Sequence, residues 1–553
     1  MDSDSLSTAV LPTSPTSKFL SRIAPLQPFP MLAPPTPEIS PTVTHSAYQP
    51  FVFDPPEPEL QEDTPTKPRT IVLCFDGTGN KFGQENSNVV RFFRALVKNR
   101  RHEQIVYYQP GIGTYNKRAF ITHTVSTLAS AIDSAIALHL DDHVKEGYKF
   151  IIQSYRPGDK ICLFGFSRGA HTARVVAGML YKIGIIPKEN IQQVDFAFNI
   201  YGTTGYAGYK LSREFKQTFA SPVSVDFVGV WDTVSSVGLI PQMHPYTSIN
   251  YAVKTFRHAL ALDERRARFR PNVWNEMTPD REQELDIDLP EPSSFSGSDS
   301  NRDAFTYVPP DRDYADTNEV WFSGCHADIG GGSHSTRRPS SLSSIPLRWM
   351  IKEVILARTA ILFDFEYLAE TLELDFEALW EEMGEKGVGR EDVGGEGYAL
   401  IEKYAREARE ARETREAREA IEAREARGAR EAREAREATD AIERMEHHHH
   451  HLRRYIRDIR DAIFDQLLLV WMWWILEIIP TLCTFQDANG DWFRKRTRNL
   501  GRGRYIPFHQ NEVHVHESVQ LRIQETKHSD KPYVPNAHNW NQVTASSMLK
   551  YVK

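Results

Sequence analysis

The sequence predicts an α/β fold. It consists of a mainly parallel sheet with helices on both faces, preceded by a disordered tail and interrupted by a charged helical insertion. Three observations predict it. Short apolar runs rich in β-branched and aromatic residues, such as Arg69–Phe75 and Ile161–Phe164, read as strands buried on both faces. Stretches with helical spacing alternate with them, which favours crossover connections and parallel pairing. Several runs stop abruptly in turns of Gly, Asp, Ser or His, and chemistry gathers at the carboxyl ends of a parallel sheet.

Residues 1–69 hold 15 of the chain's 33 prolines among many Ser and Thr and show no apolar period, so this tail is expected to stay disordered. Met1–Val10 carries two aspartates, no basic residue and no unbroken apolar core, which is not the pattern of a secretory signal. The first strand runs into Asp76-Gly77-Thr78-Gly79-Asn80, a loop whose small and polar residues let its backbone curl and turn N–H groups inward. Asn88–Arg100 has helical spacing, Ile105–Tyr108 is a second strand, and Val125–Leu140 and Asp142–Tyr155 read as two successive helices. They deliver the chain to the strand Ile161–Phe164, which is followed by Gly165-Phe166-Ser167-Arg168-Gly169 and a helix opening at Ala170. Ser224–Val230 is another strand, ending at Trp231-Asp232, and His258–Arg266 reads as a charged helix containing Asp263. Pro290–Asp303 is a surface loop, and Glu319–Cys325 is a strand whose exit is His326-Ala327-Asp328-Ile329 and three glycines.

The pentapeptide at Ser167 is the G-x-S-x-G pattern in its expected strand-turn-helix setting, where small residues permit a strained turn that exposes the serine. A helix starting just after it aims N–H groups, that of Arg168 first, at an oxyanion forming on the serine. Gly77 and Thr78 are the candidates for a second oxyanion donor. Asp76 and Asn80 bear either on substrate or on closing their own turn. Asp232 is the candidate acid and His326 the candidate base, in the chain order Ser, Asp, His; Asp226 and Asp263 are the rival acids. Asp328 is a further substrate-facing or structural candidate. His516, alternating with His514 on the probable strand Val513–His516, is the alternative base. The chemistry expected is acyl transfer to Ser167, which requires no metal and no cofactor.

The motifs FDGTGN, GFSRGA, VWDTV, ALALDERR and GCHADIGGG, in that order, resemble an uncharacterised conserved-domain family related to the phospholipase effectors of bacterial type VI secretion, a family widespread in fungi. The likeness covers about Thr70–Leu356 well and Trp473–Tyr533 more weakly, through WWILEIIP, GRGRYIP and VHVHESV. It implies an α/β-hydrolase-like fold and serine-dependent hydrolysis of carboxylic esters, with phospholipase A activity in the bacterial effectors. It also implies a triad of Ser167, Asp232 and His326. Read this way, residues 70–364 are the catalytic domain and 461–553 complete it. The bland rival is an inactive interaction protein on the same fold, and a third reading is an esterase for non-lipid esters.

Residues 365–460 depart from that family. Ala405–Ala438 repeats an Arg-Glu-Ala cycle whose period of three drifts around a helix, so no apolar stripe forms and a solvated, partly helical insertion is expected. The rival reading of this cycle is a docking arm for a protein partner, and His447–His451 read as low complexity rather than a metal site. Residues 467–479, LLLVWMWWILEII, form the most apolar run. At about 13 residues they are too short for a membrane span, which needs roughly 20. A core helix packed on the sheet is the first expectation, and peripheral membrane contact is the second. With 66 basic and 74 acidic residues, net charge -8, nothing global favours nucleic acid. Four widely spaced cysteines argue against a disulfide scaffold or zinc site and for a reducing, cytoplasmic setting.

Overall fold

The strands among the described residues are β1 (Thr70–Phe75), β2 (Gln104–Gln109), β3 (Lys160–Phe166), β4 (Val225–Trp231), β5 (Val253–Ala261), β6 (Asp316–Phe322), β7 (Thr481–Gln486), β8 (Trp492–Thr497), β9 (Val513–His516) and β10 (Leu549–Val552). Eight of them form one parallel sheet in the order β10-β9-β6-β5-β4-β3-β1-β2, and β7 and β8 pair apart from it as an antiparallel hairpin. The computed structural model describes residues 67–112, 125–234, 244–274, 315–335, 338, 341–425, 454–471, 473–486, 492–508 and 512–553. Nearly all of the tail, the 290–303 loop, the second half of the Arg-Glu-Ala cycle and the His run lie outside these residues.

The fold is α/β-hydrolase-like, and the alternation of side chains along each strand explains its layers. Ile71, Leu73 and Phe75 of β1 face one way, into a core shared with Tyr148 and Ile151 of α2 (Val125–Ser154) and Val176 and Leu180 of α3 (Arg168–Lys182). Val72 and Cys74 face the other way, toward Phe92 of α1 (Asn88–Ala95) and Met350 of the helix Ser344–Leu356. Strand order reverses at β1, which has β2 on one side and β3 on the other. A crevice opens outside the carboxyl ends of strands at such a reversal. The Asp76–Asn80 loop and Ser167 both stand there.

Three expectations need correction. Val125–Leu140 and Asp142–Tyr155 are one continuous helix, α2. The charged stretch around His258 is strand β5, central and buried nearly throughout. Its polar residues mimic a helix because tertiary partners neutralise them: Arg257 pairs with Glu353 at 2.5 Å and Asp316 at 2.7 Å, and His258 with Glu319 at 2.7 Å. The run 467–479 is not a core helix. It folds as Gln466–Leu469 and Trp473–Ile478, with Leu468 74%, Trp471 73% and Ile478 56% exposed. Within the insertion, Phe365, Leu368, Phe376 and Ile401 join the core under the sheet, and the helix Gly395–Glu425 carries the first part of the Arg-Glu-Ala cycle outward.

Candidate active site

Strand register brings the first two site residues together. Phe166 of β3 pairs with Trp231 of β4, so Ser167 and Asp232 are each the first residue beyond a matched pair of strand ends. Ser167 donates its N–H to Trp231 O at 3.0 Å and Asp232 donates its own to Ala259 O at 2.8 Å, which fixes both turns. Ser167 sits at φ 58° and ψ -121°, a conformation that costs a non-glycine residue on the order of 1–3 kcal/mol. Two glycines make it possible. A Cβ at Gly165 would lie 2.4 Å from Gly169 O, and one at Gly169 would lie 2.3 Å from Phe75 O.

His326 arrives from the other side of the sheet, four residues past the end of β6, as the first residue of the short helix His326–Gly330. Its Nε2 lies 2.8 Å from Ser167 Oγ and its Nδ1 lies 2.5 Å from Asp232 Oδ2. All three side chains are buried. The ring is held between Phe166 and Phe269, with centroid separations of 4.7 and 4.8 Å. Beyond Asp232 stands Arg504, donating from Nη1 to Oδ1 at 2.5 Å and from Nη2 to Oδ2 at 2.8 Å. Asp232 Oδ1 also accepts from Ala261 N at 2.9 Å. Burial opposes charge on Asp232, but Arg504 and His326 outweigh it and hold the carboxyl well below the usual carboxylate range. Burial lowers His326 against the pull of Asp232, so the imidazole is neutral near pH 7.

The remaining candidates divide by what they touch. Asp76 Oδ1 accepts from Gly77 N at 2.8 Å and Oδ2 from Tyr108 Oη at 2.8 Å, with burial pushing its pKa up. Asp76 thus closes its own turn, and Gly77's amide is committed to it rather than offered to an oxyanion. Asn80 donates its backbone N–H to Gly77 O at 2.9 Å and its side chain packs beside Gly77 and Gly332, so it too shapes the loop. Thr78 keeps a buried hydroxyl with no partner among the described residues. Asp328 accepts from Cys325 N and Phe464 N at 2.9 Å each, holding the histidine's loop, and burial pushes its pKa up to about 7. Asp263 accepts from Gly324 N, Asn536 N and Tyr533 Oη. Asp226 pairs with Lys254. Neither rival acid reaches the histidine.

His516 is not placed as a base. It stacks on Phe322 at 4.6 Å, accepts at Nδ1 from Ser518 N at 3.2 Å as the cap of the helix Glu517–Thr526, and is pushed down to about 3 by burial. Sequence reasoning missed Arg504 and Phe269. The signal for Arg504 was its motif, Gly501-Arg502-Gly503-Arg504, in which a Cβ at Gly503 would lie 1.7 Å from Asn536 O. Among the described residues no group of three or more His, Cys, Asp or Glu is arranged to hold a metal.

The model of the type VI secretion system phospholipase effector Tle1-like catalytic domain matches residues 69–353. The chain belongs to this family. The Tle1-like match spans β1 through the helix Ser344–Leu356 and includes Ser167, Asp232 and His326, whereas Arg504 lies beyond it. The uncharacterized protein YEL023C of Saccharomyces cerevisiae is 37% identical over 225 residues, 38% of this chain and 33% of that protein. This chain therefore spans a third of that relative's length. Among solved structures, an uncharacterized protein from Pseudomonas aeruginosa is 17% identical with a TM-score of 0.31, covering 74% of this chain and 66% of that one. The Tle1 effector bound to the VgrG spike of the type 6 secretion system is 19% identical with a TM-score of 0.26, covering 49% and 52%.

Proposed function

We propose that the protein is a serine hydrolase that cleaves carboxylic esters of lipids, phospholipids foremost, through an acyl-enzyme on Ser167. The observation that carries this reading is the unbroken hydrogen-bonded chain from Ser167 Oγ through both nitrogens of His326 to Asp232. Nε2 takes the serine proton as Oγ bonds to the ester carbon, then returns it to the alcohol as the C–O bond breaks; water repeats the sequence to release the acid. Asp232 holds the ring in the tautomer with hydrogen on Nδ1 and stabilises the cation that forms. The N–H of Arg168, at the start of α3, and Thr78 are assigned to the oxyanion.

Two things support a lipid. The family to which the chain belongs is described as phospholipase effectors. Next to the site, Trp473 packs on Phe269 at 5.5 Å, and Phe269 packs on His326. Trp473 belongs to a segment built inside out. Its carboxylate, Glu477, is buried and accepts from Ala267 N, Asn499 Nδ2 and Gly501 N, while Leu468, Trp471, Ile475 and Ile478 face solvent. Exposed Lys495 and Arg496 stand on β8, close in sequence to Leu500, which is exposed as well. We assign this apolar face to peripheral contact with a phospholipid surface. No helix among the described residues is long and apolar enough to cross a membrane.

Labelling the purified protein with a fluorophosphonate tests the mechanism: wild type is modified and Ser167→Ala is not. Equal labelling of both, or of neither, would leave the inactive interaction protein. Fatty acid release from vesicles tests the substrate, and cleavage of short soluble esters alone would favour the non-lipid esterase.

A further inference from the structure

A cavity of about 450 Å³ lies between the loop Phe82–Asn86, the turn Gly332–Ser335 that continues from the histidine's helix, and the start of the helix Ser344–Leu356. Four arginines line it, Arg91, Arg94, Arg338 and Arg454, and no carboxylate does so among the described residues. Arg338 is paired with Asp461 at 2.6 Å and Arg454 with Glu373 at 2.5 Å. The other two have no ion pair among the described residues. Arg91 donates to Asn88 Oδ1 at 3.2 Å and to Ser344 Oγ at 3.0 Å, and the Arg94 guanidinium lies over the Tyr367 ring at 4.8 Å. Nε of Arg454 is buried and has no partner among the described residues. The nearby Asp458 is engaged by Arg348 at 2.7 Å and by Ser341 N, which leaves little negative charge to spare. Burial pushes Arg91 down to about 10, with Arg348 and Arg454 adding to the effect and Tyr367 and Asp458 opposing it, and it remains a cation at neutral pH.

We propose that this cavity binds a phosphate-bearing ligand. Two uncompensated guanidiniums match the charge of about -1.5 to -2 that a phosphate monoester carries near pH 7, and their planar donor forks fit its oxygens. Ser333, Ser335 and Ser343 line the same wall. One wall is shared with the candidate active site, since Gly332 lines the cavity and packs against Asn80 of the Asp76–Asn80 loop. The ligand is a lipid head group or a free phosphate, and the first of these rests on the lipid reading above.

The test uses the full chain carrying Ser167→Ala, so that binding is read without turnover. Titration with inorganic phosphate against chloride at equal ionic strength should raise the unfolding temperature to a plateau. Arg94→Met, an exposed position that leaves folding intact, and Arg91→Lys, which keeps the charge and loses the fork, should each weaken the apparent affinity at least tenfold. In parallel, sedimentation with phosphatidylcholine vesicles with and without phosphatidic acid identifies the source. Phosphatidic-acid-dependent binding lost in Arg94→Met assigns a head group; saturable phosphate binding without it assigns a free anion, and both support the site. Chloride matching phosphate, with no phosphatidic acid effect, overturns it, as do variants that bind like the parent. A failed lipid assay on active enzyme, with phosphate binding intact, would sink only the lipid reading.

Discussion

Arg504 grips both carboxylate oxygens of Asp232 at 2.5 and 2.8 Å, in a site where Asp232 has no exposed surface and Arg504 almost none. The carboxylate hydrogen-bonded to His326 is therefore itself held by a residue 272 positions later in the chain. Arg504 also donates to Ala261 O and Phe269 O, so one guanidinium ties together the exit of β4, the end of β5 and the loop carrying an aromatic wall of the site.

Removing one partner of a buried pair strands the other. Arg504→Met is expected to lower stability by about 3–5 kcal/mol, measured as the shift in urea midpoint. Arg504→Lys keeps the charge without the fork and should recover part of that loss. A midpoint within 1 kcal/mol of wild type for Arg504→Met would refute the role.

Ser167→Ala and His326→Ala are each expected to lower turnover by about 10⁵- to 10⁶-fold, and the double variant no further, because the two act as one unit. Asp232→Asn should cost about 10⁴-fold by favouring the wrong tautomer. Single-turnover kinetics on a chromogenic ester reads all four, and additive losses would contradict a single proton path.

On the proposed mechanism, activity requires neutral His326. Its pKa is lowered from 6.5 by burial, so kcat/KM should rise with pH through one ionisation below that value and be level across neutral pH. Asp232 stays ionised throughout that window, since its carboxyl lies still lower. A limb centred above 6.5 would mean that a different base acts.

His516 offers the complementary case. Between its unfolded value of 6.5 and its folded value of about 3, the unfolded chain takes up a proton that the native state refuses. Its contribution to stability is thus whole above 6.5 and falls as pH drops toward 3, by on the order of 5 kcal/mol in total. His516→Asn keeps an acceptor for the helix cap, so it should flatten the acid side of the stability profile without reducing ester hydrolysis. Loss of hydrolysis in this variant would restore His516 as the base.

The outward apolar face predicts a separation of assays. Trp471→Ser and Ile475→Ser should each weaken partition onto phospholipid vesicles by about tenfold, from lost apolar burial, with hydrolysis of a soluble ester unchanged. Equal losses in both assays would point to damage of the site.

Much of the site could be read locally. A strand must end, a serine must stand two residues after one glycine and two before another, and the exits of two later strands must carry Asp232 and His326; each is a pattern within a few residues. What escaped local reading depends on partners far away. β5 resembles a charged helix because Arg257 and His258 are neutralised by Glu353, Asp316 and Glu319. The run 467–479 resembles a core helix because nothing in its composition shows that Glu477, its one charge, is the part that turns inward.

The sequence by itself determined the parallel α/β plan, the serine turn and the strand exits that carry Asp232 and His326, since backbone sterics and hydrophobic period act over neighbouring residues. Only the tertiary structure decided which histidine meets Ser167, that Arg504 stands behind Asp232, that Gly77 is spent on Asp76, and which way the apolar run faces. Those outcomes are set by strand register and by the partner each buried charge finds, and neither is encoded in any single stretch of chain.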